Sequence, residues 1–111
     1  MNDEIILWLN DILRSIAEIN LFMPAEKNFL LFQNDLKTRR AVERNLEIIG
    51  EALSKILKKY PNIPISDSRK IVDTRNRIIH GYDSVSYDVV WLIYIRYLPK
   101  LKTEIENLLK N

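Results

Sequence analysis

The sequence contains no cysteine. A disulfide scaffold, a thiolate zinc site and a cysteine nucleophile are excluded on that ground, and the absence fits a cytoplasmic setting. Histidine occurs once, at His80, so a multi-histidine metal site within one chain is not expected, and no cofactor motif is present. Charge of one sign is lacking too: 17 basic and 15 acidic residues leave +2. The global balance does not call for nucleic acid, and any such signal must be local. Uncharged runs such as 19–25 and 89–95 fall far short of the ~20 residues that span a bilayer. The opening Met-Asn-Asp-Glu has no basic n-region, so neither a membrane span nor a signal peptide is expected.

Only two glycines and four prolines punctuate the chain. Strand-like alternation is scarce, and the apolar spacing is helical almost throughout. With 111 residues, 47% hydrophobic and 29% charged, residues 1–111 read as one globular domain large enough to bury a core.

A first helix is expected over 3–20, with Asn2 or Asp3 as its cap and Ile5, Leu9, Ile12, Ile16 and Ile19 on one stripe. Pro24 suits the opening turn of a second helical region over 25–60, with a break near Asn34 and Asp35. In its second half Val42, Leu46, Ile49, Leu53, Ile56 and Leu57 share a face. Ala41, Asn45, Ile48 and Ala52 make a neighbouring stripe of smaller residues, for the intrachain core or for a second subunit. Glu43, Glu47 and Glu51 fall on the far side. Tyr60-Pro61-Asn62-Ile63-Pro64 stops the helix. A third helix over 67–80 follows, capped by Ser66, Asp67 or Ser68 and ended by Gly81 in a left-handed conformation. A fourth runs over 87–110, with Tyr87, Trp91, Tyr94, Leu98, Leu101, Ile105 and Leu108 in heptad-like spacing and a kink at Pro99. The expected fold is all-α, an up-and-down antiparallel bundle of four to five helices.

The third helix holds an anomaly. Arg75 lies at the centre of an apolar face made by Ile71, Val72, Ile78 and Ile79. A guanidinium there is costly unless it is paired or borders a groove. Asn76 and His80, four residues apart, share one flank, with Asp73 on the same side. Tyr82 follows the terminating glycine. Spacing alone leaves two accounts open. One is an arginine that ties helices together beside an incidental helix-end histidine; the other is a catalytic pair.

The run Arg75-Asn76-Arg77-Ile78-Ile79-His80-Gly81-Tyr82 resembles the R-x4-H-x-Y motif of HepT-like HEPN proteins. Upstream, Ala41-Val42-Glu43-Arg44-Asn45-Leu46-Glu47-Ile48-Ile49-Gly50-Glu51-Ala52 is similar to that family's long second helix. The Tyr60 to Pro64 loop, Trp91 and Leu98-Pro99-Lys100-Leu101 also fit, so the resemblance covers nearly the whole chain. The 66–73 stretch is more polar than the family's usual approach to the motif. The resemblance implies a homodimeric, metal-independent endoribonuclease with Arg75 and His80 as the functional pair and tRNA or mRNA as substrate.

Arginine holds phosphate oxygens bidentately, histidine moves protons near neutral pH, and Asn76 can orient either partner. Arg69, Lys70 and Arg77 could form a basic rim along the RNA backbone, or a merely solvated face. Tyr82 and Tyr87 could stack on an unpaired base, although Tyr87 also suits the core. The resemblance further implies an antitoxin partner, an MNT-type nucleotidyltransferase that uses ATP to attach AMP to Tyr82. The alternative is a non-catalytic helical module that pairs with such a partner.

Overall fold

The computed structural model describes residues 1–81 and 86–110. The elements are α1 (Asp3–Phe22), α2 (Phe29–Gln33), α3 (Leu36–Lys59), α4 (Ser68–Ile79), α5 (Tyr87–Leu92), a π turn (Ile93–Tyr97) and α6 (Leu98–Lys110). Among the described residues there is no strand, and no helix is long and apolar enough to cross a membrane.

α1 follows its pattern. The Asn2 side chain accepts from the Ile5 backbone N–H at 2.9 Å and caps the first turn. Ile5, Leu9, Ile12, Ile16 and Ile19 are all buried. They meet the Val42, Leu46, Ile49, Leu53 and Ile56 stripe of α3, which is buried as well. Glu4 pairs with Lys59, and the Lys55 and Lys59 ammonium groups lie over the Trp8 ring. The two helices therefore run antiparallel, as a bundle requires.

The stretch after α1 departs from expectation. Helix does not resume at Pro24: residues 24–28 are irregular, and α2 begins only where Asn28 accepts from the N–H groups of Leu30 and Leu31. An asparagine oxygen that can satisfy two orphan donors sets the start more firmly than proline's fixed φ. The expected break at Asn34 and Asp35 is present, and Asp35 caps α3 through the Thr38 N–H at 3.0 Å. α2 is held by its rings. Phe32 is buried against Tyr87 and Trp91, with centroids 5.6 Å away in each case.

α4 buries less than its sequence promises. Its interior stripe is Ser68, Ile71 and Thr74, while Ile79 is 46% exposed. Asp67 occupies the cap position with φ 58° and makes no capping bond; its carboxylate lies 3.5 Å from Lys100. Ser66 is tied to α6 instead, donating from its hydroxyl to Glu104 at 2.7 Å. Gly81 has φ +68° and ends the helix as expected. The fourth helix is split. The Leu98 N–H reaches back five residues to the Ile93 carbonyl, so a wide turn, rather than a simple kink, precedes Pro99. Proline has no N–H to offer the preceding turn, and widening accommodates its ring.

The Thr38 hydroxyl, then the Thr38 backbone N–H, and lastly the nearby Lys37 ammonium hold Asp35 below the ordinary carboxylate value. A depressed carboxylate stabilises the fold above its ordinary range, and this contribution fades as pH falls through the folded value. Asp35→Ala is expected to lower the melting temperature at neutral pH. The gap to wild type should close below pH 3.8, as read by thermal denaturation over a pH series.

Candidate functional site

Two helices meet unusually closely where α4 crosses α3. A Cβ built on Gly50 would stand 2.4 Å from the Arg75 Cβ, 2.6 Å from its Cγ and 3.3 Å from its Cδ. The stem of Arg75 thus lies in a cradle that only glycine leaves open. From there the guanidinium reaches two acceptors. One terminal nitrogen pairs with the Glu51 carboxylate, and the other donates to the Asn76 Oδ1 at 2.6 Å. Glu51 also lies 3.8 Å from the Lys55 ammonium. The Arg75 side chain keeps 20% of its exposure and Glu51 47%, so the pair is partly wet and not sealed in the interior.

This revises the placement of two acidic residues. Glu51 was expected on the far side of α3, and it holds the key guanidinium. Glu43, expected there too, is buried and bridges Arg39 at 3.3 Å and Arg40 at 2.7 Å. Both are recruited because α4 and α5 cover that flank, which the helical pattern of α3 alone does not reveal. Arg75 itself sits at the edge of α4's buried stripe, not at its centre. Ile78 is only partly buried and Ile79 faces outward.

Arg75 and Ile79 line one wall of a groove of about 400 Å³. Trp8 on α1 forms the opposite wall, and Ile48, Glu51 and Lys55 of α3 lie between. The small-residue stripe expected on α3 is thereby divided: Asn45 and Ala52 are buried, and Ile48 lines the open groove. Buried Asn45 donates to the Ala41 carbonyl at 3.2 Å, while its Oδ1 has no hydrogen-bond partner.

His80 is the C-terminal cap of α4 and is exposed. It does not line the groove that holds Arg75. Five residues of helix separate the two by a rise of about 7.5 Å and a rotation of about 140°. Asn76 lies between them in angle, about 40° from His80. Because its oxygen accepts from Arg75, its amide nitrogen remains available as a donor. The helix therefore carries a partly buried guanidinium and amide and an exposed imidazole across an arc of about 140°. Arg69, Lys70 and Arg77 are exposed on the same helix. Tyr82 lies outside the described residues. Tyr87 is partly buried against the core: its ring packs on Phe32, and the Arg39 guanidinium lies 4.1 Å from its centre and occupies one face.

Gly50, Glu51 and the Arg39–Glu43 pair are functional or supporting residues that the pattern did not single out. A signal was available for the first: Gly50 interrupts a helix otherwise built of strong helix formers, which costs about 1 kcal/mol without a packing reason.

The described residues form an all-helical bundle. The chain belongs to the family described as Ribonuclease HepT-like, whose model matches residues 12–108. It is 34% identical to a Methanocaldococcus jannaschii protein named "Putative RNase MJ0127", over 94% of this chain and 86% of the relative. It is 37% identical to the "Probable ribonuclease HepT" of Thermococcus cleftensis, over 93% and 94% of the two chains. No solved structure matches.

Gly50→Ala is expected to push α4 off α3. Overpacking of this kind costs about 1–3 kcal/mol, measurable by urea denaturation, and it should displace Arg75 from Glu51.

Proposed function

We propose that this chain is a metal-independent endoribonuclease that acts as a homodimer and serves as the toxin of a toxin–antitoxin pair. The observation that carries the proposal is the Arg75 to His80 arc of α4. Arg75 is clamped by Glu51 and Asn76, and the lone histidine stands at the end of the same helix. The family and the names of its relatives support ribonuclease chemistry.

RNA supplies its own nucleophile. A base removes the 2′-hydroxyl proton and the oxygen attacks the adjacent phosphorus. The bond to the 5′-oxygen breaks as an acid protonates it, leaving a cyclic phosphate and a free 5′-hydroxyl. Positive charge at the phosphate stabilises the crowded intermediate. Arg75 fits that role, because two of its five N–H donors are spent on positioning and the others remain for phosphate oxygens. One histidine per chain is too few for separate acid and base. Two chains related by a twofold axis, with their α4 edges facing, would provide two His80 imidazoles and two Arg75 guanidiniums around one strand. The half-exposed Ile79 beside Trp8 and Ile48 offers apolar surface for such a contact.

The expected antitoxin is a small nucleotidyltransferase that transfers AMP from ATP to the Tyr82 hydroxyl. An added phosphodiester brings negative charge to the helix end and occupies the space RNA would use. The second reading, a non-catalytic module that only docks this partner, draws on the neutralisation of Arg75 by Glu51.

The purified chain is expected to cut single-stranded RNA in EDTA, and His80→Ala and Arg75→Ala should each lose at least a hundredfold in rate. Cleavage that survives in His80→Ala, or that needs a divalent ion, sinks the mechanism; no cleavage by wild type favours the docking module. Mixing wild type with an Arg75→Ala/His80→Ala double variant tests the shared site: full activity from the heterodimer, which has one intact motif, would contradict it. Tyr82→Phe should remain toxic and should resist adenylylation by the antitoxin, as read by intact mass.

A further inference from the structure

Most cations whose contacts the structure gives are held by carboxylates. Arg14, Arg39, Arg40, Arg44, Lys55, Lys59, Arg75 and Lys100 each have an acidic partner within 4 Å. Lys70 is held differently. Its ammonium donates to the Tyr97 hydroxyl at 3.3 Å and stands 5.4 Å from the centre of the same ring. A neutral phenol hydroxyl orients a cation without cancelling its charge.

The contact lies on a seam. Lys70 meets Tyr97 and Asp67 meets Lys100, so α4 runs antiparallel to the π turn and the start of α6. Tyr97 is the last residue of that wide turn. Arg77 lies two turns along α4 from Lys70, on the same flank within about 20° and about 10.5 Å away along the axis. Arg96, beside Tyr97, is exposed. The seam thus carries Lys70 and Arg77, with the exposed Asp73 between them along α4 and Glu104, held by Ser66, beside the Asp67–Lys100 pair. The groove beside Trp8 is self-neutralised: Arg44, Lys55 and Arg75 face Asp11, Glu47 and Glu51.

We infer that the Lys70–Tyr97 pair is a fixed phosphate anchor for single-stranded RNA, and that the strand leaves the α4 edge across the π turn. Lys70 lies ten residues from His80 on α4, a rise of about 15 Å that a few nucleotides of single strand cover. The anchor therefore grips backbone away from the cut and adds affinity without reading sequence. It rests on the ribonuclease reading and adds to it a binding surface on α4 and the π turn.

The test uses the cleavage-deficient His80→Ala chain and a fluorescein-labelled single-stranded RNA of mixed sequence. Anisotropy gives Kd across a salt series. Lys70→Gln in that background is expected to weaken binding several-fold and to lower the slope of log Kd against log salt by about 0.7, the value for one phosphate contact to a single strand. Tyr97→Phe keeps the ring and loses the hydroxyl, so it should give a smaller loss in the same direction. Lys37→Gln removes equal charge from the first turn of α3 and should change neither quantity. Equal effects from Lys37→Gln and Lys70→Gln would show only bulk charge and overturn the anchor. So would unchanged binding in Lys70→Gln, and if wild type still cut RNA the nuclease reading would stand without it. Absence of any RNA binding and cleavage would remove both.

Discussion

The close approach of α4 to α3 at Gly50 is the constraint on which the site depends. A missing methyl group lets the Arg75 stem lie against the α3 backbone, and the length of the side chain then fixes where its charge can be. The guanidinium arrives within reach of Glu51 on one helix and Asn76 on its own. Were α4 held farther out by a methyl group's width, the same arginine would lose its reach to Glu51 in this geometry. Packing comes first here, and electrostatics follows from it. The bundle core supplies the rigidity: α3 presents Gly50 on one flank while its other large residues are locked against α1.

Pairing decides which charges are available to a polyanion. A guanidinium that already holds a carboxylate must exchange it, or share its remaining donors, when phosphate arrives. Glu51 is half exposed and shared with Lys55, so its attraction for Arg75 is weakened by water and by competition. That is a reversible clamp. It keeps the side chain extended, and in the proposed nuclease it would spare Arg75 the ordering entropy on phosphate binding. The deeper Arg39–Glu43 pair, with Tyr87 beneath the guanidinium, is a structural tie between α3 and α5.

Much of the architecture was legible in the residues, because the 3.6-residue period is strong where a helix has one buried face. The five isoleucine and leucine positions of α1 and the six of α3 fall on that face and are buried. The family was legible from the motif and the long α3 signature. The reading failed where a helix lacks a single dominant neighbour. Of the Ile71, Val72, Ile78 and Ile79 pattern of α4, Ile71 is buried and Val72 and Ile78 pack partly buried against the core, but Ile79 is exposed and the polar Ser68 and Thr74 are buried in its place. Glu43 is buried for a related reason, and the pairing of the half-exposed Glu51 with Arg75 was not foreseen: the period of a helix says which residues share a face, and not which other helix will meet the polar one. Arg75 and His80 stood out by type and spacing. That they share a helix but not a cavity is a matter of packing that no pattern along the chain contains.

The wide turn at Ile93–Tyr97 also restricts how the chain can change length. It inserts an extra residue into a continuous helix, so the segments on either side keep their own faces toward the core: Tyr87 and Trp91 toward Phe32, and Leu98, Leu101 and Ile105 toward α1 and the interior. Deleting one residue there would restore regular helix and rotate one segment by about 100° against the other, forcing either the aromatic cluster or the aliphatic stripe out of place. In this part of the sequence, single-residue gaps are the costly kind of evolutionary change, and substitutions are the cheap kind.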